Sequence, residues 1–130
     1  MKLPFHARTV TSRPGRRRHP TTAKVSHHSG TDMAVPEFTP IRLDYPGKVV
    51  AIRTRPDVGL QLTVQIAPKT VVKLNHLAEV LVGPKAAFAA GDRLALTGRS
   101  GAGALGAHLC LELWHNGRAV DDPEAFEVPA

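Results

Sequence analysis

Two short stretches of this chain bring together side chains able to hold a metal ion or move a proton. In "GAHLCLELWHNG" (106–117), His108, Cys110 and Glu112 recur at every second position. Successive side chains of a strand point to opposite faces, so these three share one face and Leu109, Leu111 and Leu113 the other. The leucines read as the core face. The opposite face holds imidazole, thiol and carboxylate together, which suits metal ligation, redox chemistry or a half-exposed sheet surface. In "HHSGTD" (27–32), His28 and Asp32 stand four apart around Gly30. A neutral imidazole and a carboxylate are both common zinc ligands, and the glycine would let the chain fold back so that both reach one ion. His76, in "TVVKLNHL", is a further candidate, whereas His6, His19 and His115 have no evident partner.

The elements that must position these residues are short and β-rich. "GKVVAIRT" (47–54), "LQLTVQIA" (60–67) and "TVVKLNHL" (70–77) are each of strand length, followed by "EVLVGP" and "DRLALTG", with "KAAFAAGD" between the last two as a turn or single helical turn. "HLCLELWHNGRAV" reads as a strand, an Asn116–Gly117 hairpin turn and a short partner. "DDPEAF" suits one helical turn capped by Asp121 or Asp122. Residues 1–27 are basic and polar and read as a loop or arm. Roughly six or seven strands with frequent turns define a mainly β, single-domain antiparallel sandwich or partly open barrel. "GAGALG" (101–106) is a literal G-x-G-x-x-G, but a dinucleotide site needs that loop to open a helix. Here an alternating strand follows at once, so the glycines make a loop between strands.

Composition narrows the function classes. The chain has 130 residues, eleven glycines, eleven prolines and one cysteine, so it is one turn-rich domain without an internal disulfide. A net charge of +6 favours an anionic partner, with Arg13, Arg16, Arg17, Arg18 and Lys24 crowding the start. "SRPGRRRHPTTAK" could contact phosphates, but no aromatic residues interleave for base stacking, so nucleic acid is not the expected partner. No stretch approaches the roughly 18 apolar residues of a membrane helix. The first residues also lack the apolar segment of a secretory signal. Trp114, Tyr45 and Phe126 read as packing residues.

Several ordered motifs resemble the lysostaphin/LytM-type zinc endopeptidases of the bacterial cell wall. "GRRRHP", "HHSGTD", "PEFTPI" and "GKVV" are similar to that family's Gly-x-Arg-x-His-Pro, His-x-Gly-x-Asp, Pro-x-x-Thr-Pro-Ile/Val and Gly-x-Val-Val. "LNHL", "TGRSG", "GAHLCLE", "NG" and "DP" resemble its Tyr-x-His-Leu, Thr-Gly-x-Ser-Gly, Gly-Pro-His-Leu-His-Phe-Glu, Asn-Gly and Asp-Pro. The match runs over residues 12 to 127. The resemblance implies a LytM-type peptidase domain over 12–130 behind an N-terminal arm, 1–11.

Carried over by residue, the resemblance places His28, Asp32 and Cys110 on the three zinc ligands and His76 and His108 on the two catalytic histidines. Cys110 departs from the family, which has histidine there. So do Leu74 for a tyrosine, Ala107 for a proline, Pro14 for an aromatic and a central hairpin without a His-Gly turn. Thiolate is itself a zinc ligand, although its sulfur sits closer to the backbone than the far imidazole nitrogen. The implied activity is zinc-assisted hydrolysis of peptide cross-links in peptidoglycan, outside the cell, in the periplasm or from a phage particle. The alternative is a degenerate, non-catalytic module that binds cell wall or a partner hydrolase, with Cys110 a small buried hydrophobe. Glu112 reads either as a carboxylate supporting the metal site or as a solvated strand residue.

Overall fold

The structure is a computed structural model that describes residues 1–18, 25–101, 104 and 106–130, and the side chains of these except 16–18 and 25–28. It is mainly β and antiparallel throughout. The strands are β1 (Val10–Ser12), β2 (Gly15–Arg18), β3 (Val25–His28), β4 (Thr31–Met33), β5 (Pro40–Arg42) and β6 (Gly47–Arg55). They continue with β7 (Gly59–Ala67), β8 (Thr70–Val80), β9 (Ala87–Phe88), β10 (Arg93–Thr97), β11 (Leu109–His115) and β12 (Arg118–Ala119). A ten-stranded sheet runs in the order β1-β4-β11-β8-β7-β6-β9, with β10 and β5 branching from β8 and β12 from β11, while β2 and β3 form a separate ribbon. The expected mainly β, antiparallel fold is borne out.

Tight turns join the central strands because the chain supplies residues that tolerate left-handed backbone. Asn116 and Gly117 take φ of 52° and 76° at the expected β11–β12 hairpin. Lys69, at 54°, turns β7 into β8. The core lies under the leucine face of β11: Leu109, Leu111 and Leu113 are wholly buried together with Leu62, Val64, Val72, Leu74, Leu94 and Met33. The single helical turn expected in "DDPEAF" is a 3-10 turn over Pro123–Ala125, with the Asp122 carboxylate accepting from the Ala125 N–H.

Three details differ from the sequence expectation, each for a physical reason. The loop or arm expected over residues 1–27 contains β1, β2 and β3, and Leu3, Phe5 and Val10 pack against the core. Strands of three or four residues are too short to show alternation, and backbone pairing alone fixes them, as between Val10 and Met33. "KAAFAAGD" contains the short strand β9, held where Gly47 pairs with Phe88, whose ring is buried. Finally, β8 carries "TVVKLNHL" on without a break to Val80, the second residue of "EVLVGP", and the rest of that stretch lies outside the strand. An extra residue near His76 shifts the pairing register and re-phases the alternation, so the sequence pattern looks interrupted.

Candidate functional site

The same irregularity in β8 builds the site. His76 has φ of 62°, which is strained for an ordinary residue inside a strand, and its N–H donates to the Val58 carbonyl at 2.7 Å. A bulge re-aims a side chain that plain alternation would place elsewhere. His108 stands just before β11, pairing with Gly98 through an isolated bridge. The two rings lie 4.7 Å apart between centroids, tilted by 46°.

Both rings are oriented by one loop. His76 Nδ1 meets the Ser100 carbonyl at 2.7 Å and His108 Nδ1 meets the Gly106 carbonyl at 2.9 Å. A carbonyl only accepts, so each Nδ1 carries the hydrogen and each neutral ring presents Nε2 as a base. Ser100 is itself pinned. Its hydroxyl accepts from the Leu60 N–H at 3.1 Å and donates to the Leu77 carbonyl at 2.7 Å. Gly106, the last residue of the glycine-rich stretch excluded above as a nucleotide loop, therefore orients His108, while Ala102, Gly103 and Leu105 fall outside the described residues. Burial pulls the His76 imidazole below its ordinary value; the Ser100 carbonyl opposes this and the His108 ring adds to it.

Asp32 and Cys110 sit beside this pair. They are register partners across β4 and β11, and Asp32 Oδ1 is 3.8 Å from His108 Nε2. Cys110 is buried, and Gly30 stacks so closely on its Sγ that any side-chain carbon at position 30 would overlap the sulfur. Burial, and then the Asp32 carboxylate, pushes the thiol well above its ordinary value, with the neighbouring Asn75 amide opposing. A cleft of about 300 Å³ opens here, lined by Gly30, Asp57, Asn75, His76, Cys110 and Glu112 among others.

The structure thus brings together four of the sequence candidates: Asp32, His76, His108 and Cys110. The fifth, His28, ends β3 two residues before Gly30, and its side chain lies outside the described residues. Among the described residues no three ligating side chains converge on one point. Asp32 and Cys110 do supply carboxylate and thiol side by side, a donor chemistry that fits zinc once an imidazole joins them. The residues that sequence reasoning missed are Asn75, Gln61 and Ser100. Gln61 Nε2 donates to Asn75 Oδ1 at 2.8 Å, and Asn75 Nδ2 donates to Glu112 Oε2 at 2.7 Å. Trp114 Nε1 donates to the other oxygen of Glu112 at 3.2 Å, so Glu112 is more than a solvated carboxylate. A polar residue at position 61, on a strand between core-forming apolar neighbours, was the available signal. His115, which had no evident partner in sequence, bonds Thr70 Oγ1 at 2.9 Å through Nδ1 and packs on Phe126.

Two facing histidines next to an aspartate and a cysteine on an antiparallel β fold are the arrangement that the motif resemblance implies. The chain belongs to peptidase family M23, whose family model matches residues 26–122. It is 36% identical over 119 residues to the peptidoglycan DD-endopeptidase ShyA of Vibrio cholerae, a match covering 88% of this chain and 27% of that protein. The chain thus spans about a quarter of the length of the curated relatives it matches. Among solved structures, a zinc-containing peptidase from Vibrio cholerae superposes with a TM-score of 0.88 at 30% identity, over 98% of this chain and 40% of that one. The catalytic domain of lysostaphin from Staphylococcus simulans superposes with a TM-score of 0.75 over 85% of this chain and 86% of that one; at 20% identity this speaks for the fold alone. The resemblance read from the motifs is borne out.

Proposed function

We propose that the chain is a zinc-dependent endopeptidase that hydrolyses peptide cross-links of bacterial peptidoglycan. The observation that carries this reading is the pair of Nδ1-anchored histidines, 4.7 Å apart, placed beside Asp32 and Cys110 in a family M23 fold. The peptidase domain is residues 12–130, preceded by an N-terminal arm, 1–11, whose Met1 side chain is buried in the core and whose Val10 begins β1. The substrate follows from relatives named as peptidoglycan endopeptidases, and the net charge of +6 suits an anionic wall. Among the described residues no helix is long and apolar enough to cross a membrane. The relatives named as peptidoglycan endopeptidases support the cell wall as the place of action.

His28, Asp32 and Cys110 are the residues that would hold the metal. Zinc bound there would act as a Lewis acid on the scissile carbonyl and make water nucleophilic near neutral pH. His76 and His108 do the proton work. With both Nδ1 positions committed to backbone carbonyls, Nε2 is the working atom of each ring, so one ring takes the proton of the attacking water while the other steadies the carbonyl oxygen or protonates the leaving amine. Fixing both Nδ1 hydrogens on backbone carbonyls removes the wrong tautomer and the entropy of ring rotation. The wall of the cleft, built from Gly30 and the Asp57–Val58 turn, gives an extended peptide a place beside the rings.

The test is release of soluble fragments from dye-labelled peptidoglycan by zinc-loaded protein, with His76→Ala and Cys110→His alongside. Release by the native chain and its loss in His76→Ala are the expected results. Release by Cys110→His alone, with native protein only retained on the insoluble wall, would replace this reading with a binding module.

A further inference from the structure

Cys110 belongs to a buried polar row that crosses the sheet. Asp32 on β4, Cys110 on β11, Asn75 on β8 and Gln61 on β7 follow one another, with Cys110 register-paired to Asp32 on one side and to Asn75 on the other. Asn75 is 1% exposed and Gln61 6%, in a sheet whose buried side chains are mostly aliphatic. Burying two amides is costly unless their hydrogen bonds are made, and here they are made in one direction. Gln61 Nε2 occupies Asn75 Oδ1, so the Asn75 NH₂ group must face the other way. One of its hydrogens goes to Glu112 Oε2, and the same amide group lies beside Cys110, its register partner on β11. Trp114 in turn holds Glu112.

This arrangement answers a problem that the cysteine itself creates. A sulfur on Cβ reaches less far than the distal nitrogen of an imidazole, and the longer zinc–sulfur bond recovers only part of the difference. A short ligand tolerates little rotation away from its target. We propose that Asn75 is a positioning residue for Cys110: its amide, oriented by Gln61 and Glu112, lies beside the sulfur and holds it turned toward Asp32, so that a short thiol completes a donor set otherwise built for imidazole. The inference rests on the reading of Cys110 as a metal donor. Partners that orient ligands in this way are worth about 10–100-fold in metal affinity.

The experiment is a double-mutant cycle read by metal binding rather than by activity. Zinc affinity is measured by competition with a chromogenic chelator, and the cobalt-loaded protein is scanned for its near-ultraviolet sulfur-to-cobalt absorption. Asn75→Leu, similar in volume but without donors, is expected to weaken zinc binding by about 10–100-fold and to shift or weaken that absorption. In a Cys110→His background, where imidazole supplies its own reach, Asn75→Leu is expected to change zinc affinity by less than about threefold. Equal losses in both backgrounds would make Asn75 a structural residue and overturn the proposal, as would no loss with cysteine present. Gln61→Leu, which leaves Asn75 in place but frees its orientation, carries the same test with a smaller loss if Asn75→Leu does not fold. A native chain that binds no zinc at all would remove the metal reading itself, before any variant is compared.

Discussion

The two faces of β11 lie a strand's thickness apart and are held by different physics. On one face Leu109, Leu111 and Leu113 are wholly buried in a continuous aliphatic core. Their stabilisation is non-directional and scales with area removed from water, so many neighbours share it. On the other face, Cys110 and Glu112, with His108 just before the strand, are placed by a few named atoms: the Gly106 carbonyl for His108, the Asn75 amide and the Trp114 N–H for Glu112, and the register partners Asp32 and Asn75 flanking Cys110. Directional contacts fix orientation and contribute little net stability, whereas the leucines fix stability and say nothing of orientation. One strand thus carries the strength of the fold and the precision of the site as separable properties.

That separation is sharpest where the expected effects are largest. His76→Ala removes a base without opening the aliphatic core, so kcat/KM on a peptidoglycan cross-link should fall by about 10²–10⁴. The unfolding free energy from urea titration should fall by no more than about 1 kcal/mol. A parallel collapse of stability would show that the His76 bulge holds the sheet together and that the two faces are not separable. Leu111→Ala is the converse. Loss of a fully buried leucine costs about 2–5 kcal/mol, seen as a lower urea midpoint with an unchanged slope. Activity per folded molecule should stay within about threefold, because no atom of the site is touched.

The same division decides what was legible in the chain beforehand. The leucine face, the Asn116–Gly117 hairpin and the Asp122 turn were readable because each rests on local pattern: alternation, left-handed propensity and capping. His108, Cys110, Asp32 and His76 could be singled out by residue type and by family motif. What the chain could not disclose was long-range pairing. The bulge at His76 arises between β7 and β8, so the one-dimensional pattern shows it only as a break. Asn75 and Gln61 looked like incidental polar residues because their meaning lies in a contact between strands. The first residues looked unstructured for a related reason, since β1 exists only by pairing with β4.

Gly30 sits where the two kinds of interaction meet, and its replacement sharpens the comparison further. A β-carbon there would overlap Cys110 Sγ, a crowding that costs about 1–3 kcal/mol when side chains must shift. Gly30→Ala should therefore lower the urea midpoint and also weaken zinc retention, since the sulfur is what must move. Repeating it in Cys110→Ala should recover most of the stability loss, because the overlapping atom is gone. If the cost persists without the sulfur, backbone conformation at Gly30, not contact with Cys110, explains the glycine.

The smallest effect expected is a pH dependence, and it asks whether the polar face touches stability at all. Burial lowers the His76 imidazole below its ordinary value near 6.5, with the Ser100 carbonyl opposing and the His108 ring reinforcing the shift. Above that value the ring is neutral in both folded and unfolded chains, and His76 then adds no dependence. As pH falls below it, the unfolded chain takes the proton first, so the folded state loses stability until its own lower value is passed. In chelator-treated protein, the unfolding free energy of the native chain should therefore decline from about pH 7 toward 5 more steeply than that of His76→Gln. Carboxylates common to both proteins cancel in the difference. Identical slopes would mean that the ring is as free to charge in the fold as in water. The base that the proposed chemistry needs would then be lost at an ordinary imidazole value, whereas a buried ring keeps Nε2 open, and keeps kcat/KM high, into more acidic solution.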